Sequence, residues 1–384
     1  MESDFYDNLS KVRQHIHANP EISNKEFQTT QFLRQRLEAL DIKILDLPLT
    51  TGLVAEMGQG YPIIALRADI DALPIVEKNT FSYASQNGAM HACGHDFHQT
   101  SLLGAAQLLK ARESELRGRV RLIFQPAEEV ATGAYTMIDA GALEDVSAII
   151  GYHNMPFLKP GQIGLRSKAI MAAVEKFKVC VTGVSGHAAR PDLGVDTVLT
   201  ITTMVNNLQA IVSRQVSPFE PTVLSVTHIE VGSAWNIMPH QGFFEGTIRS
   251  FTPDNRIFLR QKFTQIVEQT AQQFGAEVDI QWDQTPNVTY NDEILTPLIA
   301  ENSKSFAEVI EVAPVTGGED FAAYQEKIPG VFAFIGANGD PDAPDLHHDT
   351  FKVKDEALPI AVKYYVHNAE MLLAYFGDKE KLSR

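Results

Sequence analysis

The stretch HACGHDFH, His91 to His98, holds three of the chain's twelve histidines and one of its two cysteines. Thiolate and imidazole are donors that zinc and related first-row divalent ions accept. Taken alone, Cys93 and His95, two apart on a turn that feeds a helical pattern, also fit a buried thiol beside solvated histidines. Other segments add donors of the same kind. QPAEE sets Glu128 and Glu129 side by side at the end of an apolar run, and GYHNM sets His153 at the end of another. RADIDALP closes a further run with Asp69 and Asp71, and DLHHDTF brings His347 and His348 near the C-terminus. A solvated turn would explain an isolated Glu-Glu pair. Thiolate, imidazole and carboxylate recurring at successive strand ends point instead to a divalent metal site.

The elements that must position these groups read as α/β. Residues 5–40 are predicted helical, with Leu33, Leu37 and Leu40 on one face. Apolar runs at 63–68, 120–124 and 146–153 are predicted strands, and a helix is predicted to start near His95. Strands alternating with helices make a sheet, and ligands in such sheets gather at the carboxyl ends of the strands. After about Ser167 the pattern becomes strand-helix-strand-strand-helix-strand, the order of a ferredoxin-like α+β unit. The expectation is a mixed-sheet α/β catalytic domain, residues 1–170 and 284–384, with an inserted α+β domain, residues 171–283. Cys180 alternates with apolar residues and reads as inert core. His15, His17, His98, His228, His240 and His367 lack a supporting pattern and read as packing or surface residues.

A chain of 384 residues suits two domains better than one. The net charge of −16 leaves no basic stripe for nucleic acid. No apolar run approaches the ~18 residues that span a bilayer, and the acidic N-terminal stretch lacks the apolar segment of a secretory signal. Two cysteines far apart fit a reducing cytoplasm rather than a disulfide framework.

The ordered motifs RADIDALP, MHACGHDFH, FQPAEE, GYHN, GVSGHAARP, SAWNIMP, GGEDF and LHHDTF resemble those of metallopeptidase family twenty. The likeness is to its aminoacylase, hippurate hydrolase and indole-acetyl-amino-acid hydrolase branch, and runs from about residue 10 to residue 370. It implies a two-domain di-metal hydrolase of acyl–amino acid or peptide bonds. By position, Cys93, His95, Glu129, His153 and His347 match the metal ligands. Cys93 stands where related carboxypeptidases carry a bridging aspartate. Glu128 matches the general base that takes a proton from a metal-activated water. Asp69 and Asp71 occupy the place of a His-x-Asp motif. Asp69 therefore departs from the ligand histidine of relatives, and a catalytic or orienting part is expected for both. In the inserted domain, His187 matches an oxyanion donor often supplied by a partner subunit. Asn236, Arg249 and Glu319 are candidates for holding the substrate.

The function expected on this basis is metal-dependent hydrolysis of N-acyl-L-amino acids, with two zinc, manganese, cobalt or nickel ions per chain. The expected partners are a small-molecule substrate and a second copy, paired through the inserted domain, with neither nucleic acid nor membrane. The alternatives are N-acetyl-diaminopimelate deacetylation, dipeptide hydrolysis, a metal-dependent ligand-binding protein, or a cysteine-nucleophile hydrolase built on Cys93.

Overall fold

The computed structural model describes residues 2–283 and 285–382, in two compact units. The first comprises residues up to Ile170, Tyr290–Ala313 and the chain from Asp320 on; the second comprises Met171–Thr289 and Pro314–Glu319. Gln284, where the sequence reading ends the insertion, lies outside the described residues. The second unit extends past that point and also takes 314–319. Its opening strand explains why: Ala172 N–H donates to Val315 O at 3.0 Å, and Val174 N–H to Pro286 O at 3.1 Å. Such long-range backbone pairing leaves no local mark in the sequence.

The first unit is built on an eight-stranded mixed sheet. Its centre is parallel: Ile63–Asp69 lies between Arg119–Gln125 and Val146–Met155, and Gly330–Gly336 runs parallel to the latter. Ile63–Asp69 and Gly330–Gly336 are buried along their whole length. That is why they read as continuous apolar runs rather than alternating ones. Helix His95–Lys110 packs on the sheet, on the C-terminal helix Leu358–Leu382 and on the N-terminal helix Glu2–Ala18. Three parallel strands thus end at one edge, with Asp69, Gln125 and His153 at or near their carboxyl ends.

The expected single helix over 5–40 is two helices, Glu2–Ala18 and Phe27–Glu38. Pro20 has no amide proton to continue the first, and Asn24 turns left-handed at φ 64°. The connecting segment crosses to the sheet, where Ile22 bridges Ala72 in parallel and Ala72 N–H donates to Glu21 O at 2.9 Å.

Beneath it, His17 is a buried structural histidine with a specific job, not a passive packing residue. Its Nδ1 lies 2.9 Å from Asp96 Oδ2 and its Nε2 3.0 Å from Glu77 Oε1. Arg13 donates to the same Asp96 oxygen at 2.9 Å, and also to Asp355 and Tyr83.

The second unit is ferredoxin-like, with strand order Thr222–Val231, Gln241–Ser250, Ala173–Thr182, Glu277–Trp282, all antiparallel. Helix Thr197–Ala210 starts on Asp196, which accepts from Leu199 N–H, and Pro253–Phe274 starts on Thr252. Phe177, Val179, Val181, Phe244 and Ile248 face these helices' Ile201, Met204, Leu259 and Phe263. The period of two turns Cys180 to the opposite face, where it is half-buried; the expectation of a core cysteine was wrong.

Burial would lower the pKa of His17, but Asp96 and Glu77 outweigh it and push it up to about 9. A raised pKa means that this group's stabilisation is complete below pH 6.5 and is lost as pH climbs through about 9. Denaturant unfolding of wild type and His17→Gln across this range should therefore show a difference in stability that shrinks as pH rises. A pH-independent difference would mean that the imidazolium has no part in it.

Candidate metal centre

The loop before helix His95–Lys110 carries Cys93 and brings the helix's first residue, His95, to the sheet's carboxyl edge. Gly94 sits at φ 86° with Asn154 against it: a Cβ there would lie 2.3 Å from Asn154 Nδ2. That side chain donates to Cys93 O at 2.6 Å and so latches the loop to the end of the strand that bears His153. From the other side, His347 stands at φ 65° with its N–H on Ala92 O at 2.8 Å.

These contacts converge on one sulfur. Cys93 Sγ lies 3.3 Å from His153 Nε2 and 3.3 Å from His347 Nε2. Sulfur and nitrogen bound to one tetrahedral ion stand about 3.5 Å apart, given bond lengths near 2.3 and 2.0 Å. Two donor groups share the sulfur: Cys93, His95 and His153, and Cys93, Glu129 and His347. His348, the neighbour of His347, is instead engaged by the Thr350 N–H and hydroxyl at its Nδ1. The Glu128 carboxylate stands within the group formed with His95 and Glu129.

The imidazoles are oriented by their far nitrogens. His95 Nδ1 lies 3.0 Å from the Asp71 carbonyl and 3.2 Å from Asp71 Oδ1, which turns Nε2 toward the cluster. His153 Nδ1–H donates to Asn154 O at 2.7 Å, which fixes its Nε2 in the same way. His95 Nε2 and Glu129 Oε1 are both buried without a hydrogen-bond partner, 3.9 Å apart. Each is a ligand atom that a bound cation would satisfy.

The grouping of Asp69, His95 and His98 is a different arrangement. His98 Nε2 accepts from Asn154 N–H at 2.9 Å, so Nδ1–H donates to Asp69 Oδ1 at 2.6 Å. Asp69 Oδ2 accepts from Arg67 at 2.8 Å. With both nitrogens of His98 and both oxygens of Asp69 engaged, this group is an internal network. Asp69 Oδ2 stands 3.7 Å from His95 Nε2.

The electrostatics are those of an anionic pocket. Burial alone would raise Asp69 and Asp71, yet His95, His98 and Arg67 hold Asp69 well below the usual carboxylate range, and His95 and Ser23 hold Asp71 down. Burial pushes Glu129 up to about 7. Burial, with Glu129, Glu128 and Asp69 around it, pushes the Cys93 thiol well above its ordinary value. Burial opposes protonation of His95, but Asp69, Asp71 and Glu129 raise it to about 10. Burial and the neighbouring imidazoles push His153 well down, so it is neutral. The donor set of thiol, carboxylate and imidazole, with carboxylates in excess, fits a divalent cation.

Sequence reasoning missed several of these residues. Arg67 is fully buried and reaches Asp69, Gln125 and Asp320, and Gln125 in turn donates to Asp320 at 2.8 Å. His98, read as a packing residue, binds Asp69; the signal was its i, i+3 spacing from His95, which puts both on one helix face.

The remaining candidates lie in the second unit. His187 and Asn236 share a short ribbon: His187 pairs with Ile237, and Ala188 N–H donates to Asn236 O at 3.1 Å. Both are exposed. Arg249 lies on the neighbouring four-stranded sheet, its Nη1 buried without a hydrogen-bond partner. Glu319 is buried at the end of the segment 314–319, and the GGEDF stretch divides there, Asp320 belonging to the first unit.

Comparison with known proteins is consistent with this chemistry. An N-acetyl-L-cysteine deacetylase of Bacillus subtilis (strain 168) is 42% identical over 379 residues, 98% of this chain and 90% of that one. IAA-amino acid hydrolase ILR1-like 5 of Arabidopsis thaliana is 37% identical over 367 residues, 93% of this chain and 84% of that one. A solved Bacillus subtilis structure, a dinuclear metal binding peptidase from the M20 family, superposes with a TM-score of 0.86 at 37% identity, covering 97% of this chain and 99% of that one. Residues 65–371 match the model of peptidase family M20/M25/M40, and the chain belongs to that family.

Proposed function

We propose that the protein is a di-metal amidohydrolase that cleaves N-acyl-L-amino acids to a carboxylate and a free amino acid. The observation that carries this is the Cys93 sulfur, 3.3 Å from one imidazole of each donor group, with Glu128 beside them. Cys93, His95 and His153 would hold one divalent ion, and Cys93, Glu129 and His347 the second. The deacetylase and IAA-amino acid hydrolase names of the relatives support the N-acyl amino acid as substrate. When bound, the two ions polarise the amide carbonyl and acidify a water molecule.

The chain's own residues do the rest. Glu128 takes the proton of the attacking water and delivers it to the departing amine nitrogen, so that it ends the cycle as it began. Asp71 holds His95 in one tautomer, and Asp69 lends the charge behind it. His187 donates to the oxyanion that develops as the carbonyl is attacked. Asn236, Arg249 and Glu319 are assigned to the substrate's amino acid portion.

A cysteine-nucleophile reading is disfavoured by the surroundings of Cys93: reactive thiols sit in electropositive settings, and this one lies among carboxylates. A pure binding protein would not require Glu128.

We further infer a homodimer through the second unit. Val184, Leu193, Trp235 and Ile237 are exposed near or on the His187 ribbon, and Trp235 is 94% accessible. Two unpaired cysteines suit a reducing compartment, the cytoplasm, and no helix among the described residues is long and apolar enough to cross a membrane.

Apo protein titrated with zinc or manganese should take up two equivalents, and Cys93→Ser should weaken both because the sulfur is common to the two groups. A plateau at one equivalent in wild type would refute the pair. Glu128→Gln should keep both metals and lose on the order of 10²–10⁴-fold in turnover of N-acetyl amino acids; retained turnover would misassign the base. His187→Ala should lose about 10²–10³-fold. If His187 serves the partner's site, mixing His187→Ala with Glu128→Gln chains should recover activity in hybrid dimers. No recovery, with subunit exchange verified, would confine His187 to its own chain or remove it from the site.

A further inference from the structure

The turn that carries Glu128 and Glu129 is held in a costly conformation. Ala127 and Ala131 both lie in the left-handed region, at φ 54° and 55°. An L-residue with a side chain adopts that region only at an energetic cost. The turn closes on itself, with Ala131 N–H on Glu128 O at 2.7 Å and Gly133 N–H on Ala127 O at 3.1 Å. Gly133 admits no side chain, because a Cβ there would lie 1.6 Å from Pro126 O.

Two buried carboxylates from outside the turn grip its amides. Glu129 N–H donates to Asp71 Oδ2 at 3.1 Å, and Ala127 N–H donates to Glu26 Oε1 at 2.9 Å. Glu26 is fully buried and comes from the segment that interrupts the N-terminal helical region. Its Oε1 also accepts Asn24 N–H at 2.9 Å, so one oxygen ties two left-handed corners together. The same segment supplies Ser23, whose hydroxyl donates to Asp71 Oδ2 at 2.7 Å. Glu26 directly precedes helix Phe27–Glu38, yet its side chain makes no capping bond there. Ordinary helix capping therefore does not account for a buried carboxylate at this position.

We propose that Glu26 is a positioning residue for the carboxylate turn: its acceptor oxygen fixes Ala127 left-handed and thereby aims Glu129 at the second donor group. The proposal rests on the two-group reading of the metal centre. Glu129 belongs to the group with Cys93 and His347 and not to the group with Cys93, His95 and His153. Loss of the Glu26 contact should therefore loosen one metal and spare the other. Losing a hydrogen-bond partner that orients a metal ligand costs 10–100-fold in affinity, typically.

The test is a stepwise zinc titration of the full-length apo chain against a chromophoric chelator. His153→Ala and His347→Ala chains identify which step belongs to which group. Glu26→Asp withdraws the carboxylate by one methylene, Glu26→Leu removes the acceptor, and Glu26→Gln keeps an acceptor oxygen at the same reach. Asp and Leu variants are expected to lose about 10-fold or more on the step that His347→Ala abolishes, with the other step unchanged within about 3-fold. Glu26→Gln should restore both steps. Equal loss on both steps, no loss in either variant, or a Gln variant as weak as the Asp variant would overturn the proposal. A Glu26→Asp chain that does not fold counts against it too, since it would assign the residue to the core rather than to the turn. A wild-type chain that shows a single step would instead overturn the two-group reading on which the proposal stands.

Discussion

The structure depends on keeping several like charges together out of water. Asp69, Asp71 and Cys93 sit within one buried region, with Glu128 and Glu129 half-buried at its margin. Removing charges from water costs several kcal/mol each unless opposite charge and hydrogen bonds compensate. Part of that compensation is internal: Arg67 and His98 on Asp69, and His95 and Ser23 on Asp71. For Glu129 and Cys93 it is incomplete. Burial and the neighbouring carboxylates push both toward their protonated forms, and His95 Nε2 and Glu129 Oε1 remain unsatisfied. A divalent cation reverses that balance, because it favours thiolate, carboxylate and neutral imidazole together. Chemistry and stability are therefore linked in this region.

The surrounding elements divide the labour. The parallel strands deliver Asp69, Gln125 and His153 to one edge, as the twist and connectivity of open α/β sheets dictate. Precision comes from short, strained pieces between them: Gly94 against Asn154, the left-handed Ala127 and Ala131, and His347 at φ 65°. Strain of this kind persists only where neighbouring contacts over-determine it. Here those contacts are long-range hydrogen bonds, such as Ala127 to Glu26 and His347 to Ala92.

The second unit follows a different logic. Its core is a conventional sheet-on-helix packing of Phe177, Phe244 and Phe263 with aliphatic neighbours. At its surface lies the ribbon that pairs His187 with Ile237 and carries Asn236. His187 is exposed there, its ring held by a hydrogen bond from Ala189 N–H to Nδ1 at 3.0 Å.

The sequence by itself determined the sheet, the ferredoxin-like order of the second unit and the donor inventory. Those signals are local: apolar runs, period-two alternation, and ligand side chains clustered in short motifs. Tertiary structure alone decided how the donors combine. It showed that His347 rather than His348 faces Cys93, because a backbone bond to Ala92 sets its left-handed corner. It placed 314–319 with the second unit through pairing to Ala172, turned Cys180 away from the core, and broke the predicted helix at Pro20. It also revealed His17, Glu26, Arg67 and His98 as buried polar residues with assigned partners. A buried carboxylate or imidazole is stable only when its partner is in place. In this chain several of those partners lie far off in sequence: 29 residues for His98 with Asp69, 101 for Glu26 with Ala127 and 253 for Arg67 with Asp320. No local window of the sequence contains both halves of such a pair, so only the folded chain could identify them.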